Sequence, residues 1–144
     1  MDATDPYPRS LEAAVRDALA DTPVVVIQGA RQVGKSTLAQ FAAAGAADAH
    51  QVTLDDPAAL AVAESDPAFF VEQAGRGLLV IDEAQRTPGL ILPLKASVDR
   101  DRRPGRFLLT GSADLLQAKG VGDSLAGRAE TFELKPLSLD PPMR

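Results

Sequence analysis

The stretch that most constrains this chain runs from Val24 to Ser36. There Val24-Val25-Val26-Ile27 leads, through Gln28, into Gly29-Ala30-Arg31-Gln32-Val33-Gly34-Lys35-Ser36. A short, wholly apolar, β-branched run is the pattern of a strand buried on both faces, as in a parallel sheet. The residues after it fit G-x-x-x-x-G-K-[ST], the phosphate-binding loop. The spacing has a physical purpose. Glycines let the backbone curl until successive N–H groups point at phosphate, and a helix starting near Lys35 adds its positive dipole end. Lys35 brings a point charge to the β and γ phosphates, and the Ser36 hydroxyl is placed to ligate Mg²⁺. The expected phosphate-binding set is therefore Gly29, Ala30, Arg31, Gln32, Val33, Gly34, Lys35, Ser36 and Thr37, with Ser36 also a metal ligand.

The rest of the chain alternates strand and helix patterns. Ser10 can cap a helix with Leu11, Val15 and Leu19 on one stripe, ending near Pro23. Ser36 to Ala44 reads as a helix and Gln51 to Leu54 as a strand. Asp56-Pro57 and Asp66-Pro67 each set a capping carboxylate before a proline, so two short helices begin there. Leu78 to Ile81 repeats the buried-strand pattern, Leu92 to Val98 is a helix, and Phe107 to Thr110 and Thr131 to Leu134 are strands. Such alternation implies βαβ units with right-handed crossovers and a largely parallel sheet covered on both faces.

Further chemistry gathers at strand ends. Leu78-Leu79-Val80-Ile81 delivers Asp82 and Glu83 to the C-terminal edge, where open parallel sheets bind ligands. Asp82 suits a magnesium site, and Glu83 suits orienting and deprotonating a water. Phe107-Leu108-Leu109-Thr110-Gly111-Ser112 brings hydroxyls to the same edge, so Ser112 is a candidate for sensing a γ-phosphate, although hydroxyls after strands also cap helices. Arg128 could stabilise transition-state charge as an arginine finger, or could equally be a surface arginine paired with an aspartate. In Leu54-Asp55-Asp56-Pro57, capping explains Asp56 and disfavours a metal role for the pair. His50 lies in a polar connection and reads as solvated.

Composition excludes several classes. With no Cys and a single His, neither disulfides nor His/Cys zinc chemistry is possible. No apolar run approaches the roughly 20 residues of a membrane span, and the N-terminus lacks a signal-peptide pattern, so a soluble, cytoplasmic protein without membrane contact is expected. The net charge of −5 argues against nucleic acid as a partner of this segment. The basic stretch Arg100 to Arg106 contains Pro-Gly and reads as a solvated loop. The chain contains no Asn, which excludes the Asn-Lys-x-Asp signature of GTP specificity.

Together these motifs resemble the AAA-type ATPase domain of a widespread family of bacterial and archaeal ATP-binding proteins. The resemblance runs from about Arg9 to Ser138. It rests on the phosphate loop, Leu54-Asp55-Asp56-Pro57, Ile81-Asp82-Glu83-Ala84-Gln85, Leu109-Thr110-Gly111-Ser112, Ser124-Leu125-Ala126-Gly127-Arg128 and Pro136-Leu137-Ser138. It implies an α/β P-loop NTPase fold, a three-layer α/β/α sandwich around a mainly parallel five-stranded sheet of order 5-1-4-3-2. It also implies ATP and Mg²⁺ as ligands, Asp82 and Glu83 as the Walker B pair, and Ser112 as a sensor. Arg128 looks like the arginine closing the family's small-residue loop, and Gln85 like a polar contact near the γ-phosphate.

Family members normally continue into a helical lid and a C-terminal domain of uncertain function. Here Leu139 to Arg144 forms a short tail, so residues 1–138 are expected to be an ATP-binding core without its lid. The expected activity is hydrolysis of ATP to ADP and phosphate. The alternative is a truncated nucleotide-binding or interaction module without significant turnover. A homo-oligomer or a client protein is the further partner such a domain implies.

Overall fold

The computed structural model describes residues 9–29, 34–46, 48–112, 115 and 125–134. The helix α1 (Arg9–Asp21), with Ser10 in its first turn, leads into the strand β1 (Val24–Gly29), and α2 (Lys35–Ala43) follows the phosphate loop. The order continues β2 (Ala49–Thr53), α3 (Pro57–Ser65), α4 (Pro67–Val71), β3 (Leu78–Asp82), α5 (Ile91–Arg100), β4 (Phe107–Gly111) and β5 (Ala129–Leu134). Two 3-10 turns, Ala84–Arg86 and Pro88–Leu90, connect β3 to α5. The two Asp-Pro signals act as expected. Asp56 accepts from the Ala58 amide at 3.0 Å and Asp66 from the Phe69 amide at 3.2 Å, so each short helix starts at its proline.

The five strands form one sheet in the order β2-β3-β4-β1-β5, and every adjacent pair is parallel. This is the order 5-1-4-3-2 read from the other edge. Period-two alternation sorts the side chains into two cores. Val24, Val26, Leu79, Ile81, Phe107 and Leu109 face the layer of α3, α4 and α5, while Val25, Ile27, Leu78, Val80 and Leu108 face α1 and α2. These strand residues are almost fully buried, which explains why β1, β3 and β4 are continuous apolar runs. The edge strand β2 is half exposed and correspondingly polar.

α2 lies across β1, β4 and β3, and the strand that follows it, β2, lies at the far edge of the sheet. The start of α2 therefore sits above the C-terminal ends of these strands, beside Asp82.

Candidate functional site

Two glycines of the loop are fixed by geometry. Gly34, preceding α2, has φ 85° and ψ 23°, a left-handed conformation that a side chain disfavours. At Gly29, a Cβ would lie 2.3 Å from the Leu134 carbonyl oxygen of β5, so only glycine lets the strands approach. Lys35 is the first residue of α2 and only 6 % exposed, with Nζ donating to the Gly29 carbonyl at 3.2 Å. The ammonium thus spans the two ends of the loop. Thr37 lies exposed in the first turn of α2. Ala30, Arg31, Gln32 and Val33, also expected to bind phosphate, lie outside the described residues.

Asp82 is the point on which three other elements converge. Its Oδ1 accepts from Ser36 Oγ of α2 at 2.6 Å and from Thr110 Oγ1 of β4 at 2.5 Å. Its Oδ2 accepts from Thr53 Oγ1 of β2 at 3.1 Å. Ser36 and Asp82, both expected from sequence to be magnesium ligands, are therefore direct neighbours. The sequence pattern does not single out Thr53. Its signal is the strand register, which pairs Thr53 with Asp82 and emerges only when β2 and β3 are set side by side.

Glu83 has φ 61° and ψ 45°, and is the one non-glycine with positive φ among the described residues. Such a conformation costs about 1–3 kcal/mol and clusters at functional sites. The turn carries the Glu83 side chain out of the strand's alternation, and its amide donates to Thr110 Oγ1 at 3.4 Å. Gln85 Nε2 donates to Glu83 Oε1 at 2.7 Å, and the Ser112 amide donates to Gln85 Oε1 at 3.1 Å. Lys35, Asp55, Glu83, Gln85, Arg86 and Ser112 line one cavity of ≈ 310 Å³. Ser36, Asp82, Thr53 and Thr110 line part of a neighbouring cavity of ≈ 240 Å³.

The donor set fits a hard divalent cation. Every candidate ligand is an oxygen, from the Ser36 and threonine hydroxyls and from the carboxylates. Carboxylate oxygens of Asp55, Asp82 and Glu83 lie within 4.8 Å of one another. Asp55 joins this group although capping explained only its neighbour. Asp56 turns away to cap α3, while Asp55 forms an ion pair with Arg86 at 2.7 Å. Arg86 at the cavity wall was not marked by any motif.

Arg128 does not share this crevice. It immediately precedes β5, and its carbonyl accepts from the Val24 amide at the start of β1. Lys35, Asp82 and Ser112 lie at the opposite ends of the strands, and a strand of this length spans about 17–20 Å. Arg128, expected either as an arginine finger or as an aspartate-paired arginine, is thus set apart from the other candidate catalytic residues of the same chain. Its Nε and Nη2 donate to the Asp99 carboxylate at 2.7 and 3.1 Å, the aspartate-paired alternative. Hydrogen bonding in this pair holds the Asp99 pKa below the usual carboxylate value and raises that of Arg128.

The basic loop is corrected in one respect. Arg106 is 4 % exposed, and its guanidinium donates to the Ser97 carbonyl and Oγ and to the Asp101 carbonyl. Burial pushes its pKa below the ordinary arginine value. Arg100, Arg102 and Arg103 are ion-paired nearer the surface. His50 is exposed and bonded to Gln73, away from the acidic cluster.

Among known proteins, the sequence profile of a family described as AAA domain matches residues 21–141. Two uncharacterized proteins, one from Mycobacterium bovis and one from Mycobacterium tuberculosis, are each 38% identical over 131 residues. The match covers 91% of this chain and 29% of each of them, so the chain spans less than a third of the curated relatives it matches. Among solved structures, the crystal structure of a DNA replication initiation factor superposes with a TM-score of 0.60. It is 16% identical and covers 88% of this chain and 44% of its own, a likeness of fold alone. Among the described residues, no helix is long and apolar enough to cross a membrane.

Proposed function

Because this chain belongs to the AAA domain family, a family of nucleotide-binding P-loop ATPases, we propose that it binds ATP with Mg²⁺ and hydrolyses it to ADP and phosphate. The observation that carries the reading is the Ser36–Asp82 hydrogen bond, which closes the end of the phosphate loop onto the acidic end of β3.

In this reading the loop amides and the α2 N-terminus take the phosphates. Lys35 exchanges the Gly29 carbonyl for phosphate oxygen, keeping its buried charge paired. Ser36 and Asp82 hold the cation, and Thr53 and Thr110 keep the Asp82 carboxylate in one orientation. Bound Mg²⁺ would neutralise charge on the β and γ phosphates. Glu83 orients a water and accepts its proton as the water oxygen bonds to the γ-phosphorus and the bond to the β-phosphate oxygen breaks. Ser112 faces the γ-phosphate from the end of β4. A finger role for Arg128 falls to the site of a second copy, since its own site is at the other end of the sheet.

Titration calorimetry with ATP·Mg²⁺, together with phosphate release, tests this. The expected result is binding by the wild type, loss of binding in Lys35→Ala, and retained binding with phosphate release slowed about 10²-fold or more in Glu83→Gln. Binding unchanged in Lys35→Ala rejects the phosphate loop, and undiminished release in Glu83→Gln removes Glu83 as the base. The second reading is a nucleotide-binding or interaction module without significant turnover. Binding without turnover above background would select it.

A further inference from the structure

We propose that Gln85 is the positioning residue of the site: its amide orients the Glu83 carboxylate and ties it to the end of β4 at Ser112. The proposal rests on the reading of Glu83 as the base.

Both halves of the Gln85 amide are engaged. Nε2 donates to Glu83 Oε1 at 2.7 Å, and Oε1 accepts the Ser112 amide at 3.1 Å. The orientation of the amide follows from the chemistry of its partners. A flipped amide would set its oxygen against a carboxylate and its NH₂ against an N–H, two repulsions in place of two bonds.

The backbone on both sides is shaped for this contact. Glu83 adopts the left-handed conformation that swings its side chain beside Gln85, within the turn that Ala84–Arg86 completes. On β4, a Cβ at Gly111 would lie 2.8 Å from Gln85 Oε1 and 2.9 Å from Leu115 Cδ2. Glycine at 111 thus leaves the space that the amide fills.

The consequence is a restricted carboxylate. A glutamate on a turn has several rotamers, and a base is effective only near hydrogen-bond distance of the proton it takes. With Oε1 held by Gln85, Oε2 is the atom presented to water. Because the other bond of the amide is to the backbone of Ser112, a displacement of the β4 end reaches Glu83 through two hydrogen bonds.

The test compares Gln85→Ala and Gln85→Glu with wild type and Glu83→Gln, measuring ATP·Mg²⁺ affinity, kcat, KM and thermal midpoint. A misplaced base costs about 10²-fold, so Gln85→Ala is expected to lower kcat by that factor with affinity changed less than about threefold and the midpoint retained. Gln85→Glu keeps an acceptor for Ser112 but sets a carboxylate against Glu83, and is expected to lose at least as much. The double variant Glu83→Gln/Gln85→Ala is expected to be no slower than Glu83→Gln, since no base remains to position. A kcat for Gln85→Ala within about twofold of wild type, or losses that multiply in the double variant, overturns the proposal. If wild type binds ATP without turnover, the hydrolytic reading has failed, and the Gln85 contact is read by NMR instead. The Gln85 side-chain amide resonances shift in Glu83→Ala if the clamp exists, and their staying in place overturns it.

Discussion

Ser36 and Asp82 are 46 positions apart in sequence and 2.6 Å apart in space, hydroxyl to carboxylate. That contact joins the two motifs that carry the chemistry. It also uses one of about four acceptor positions on the Asp82 carboxylate, two more being taken by Thr110 and Thr53. The carboxylate therefore has little freedom, and its partners control how it meets a cation.

Thr110 is the buried member of this set, fully enclosed and bonded both to Asp82 and to the Glu83 amide. Thr110→Val keeps the shape and removes both bonds. Supporting bonds of this kind are worth about 10- to 100-fold in metal affinity. Magnesium titration of the ATP complex should show a weakening of that size, with Mg²⁺-free ATP binding unchanged.

Arg106 tests the other pole. Its guanidinium is buried and hydrogen-bonded to Ser97 and Asp101. Arg106→Met fills the volume but leaves these acceptors without their donor, at a cost of about 2–3 kcal/mol. Chemical denaturation should report this loss, with ATP·Mg²⁺ affinity retained.

Arg128→Ala should leave ATP·Mg²⁺ affinity of the isolated chain unchanged, because Arg128 lies across the sheet from Lys35. The variant does lose the pairing with Asp99. The lowered Asp99 pKa contributes stability above the ordinary carboxylate value that is lost as pH falls through the depressed one. The difference in thermal midpoint between wild type and variant should therefore shrink on acidification. A difference that instead grows toward acid pH would contradict the pairing.

Much of this architecture is written locally. The apolar runs of β1, β3 and β4 and the Asp-Pro helix starts depend on near neighbours, and their boundaries fall within a residue or two of expectation. The strand order came from the resemblance, since no local pattern encodes which strand lies beside which. What stayed hidden depends on register and packing. Thr53 matters because β2 pairs with β3, and Arg106 because α5 covers it; Gln85 was marked by the resemblance, but its contact with Glu83 emerges only from the left-handed turn. Arg128 shows the converse: a local motif marked it, but only its position before a parallel strand reveals that it lies at the opposite strand ends from Lys35 and Asp82 of the same chain.

The most direct measurement of the central claim is ATP affinity by calorimetry at zero and saturating Mg²⁺, for wild type and for Ser36→Ala/Asp82→Asn. One shared site requires that Mg²⁺ strengthen binding in wild type, and that the double variant bind ATP with its Mg²⁺-free affinity whether or not the ion is present. An equal gain from Mg²⁺ in both proteins would mean that Ser36 and Asp82 hold no cation, and would contradict the account.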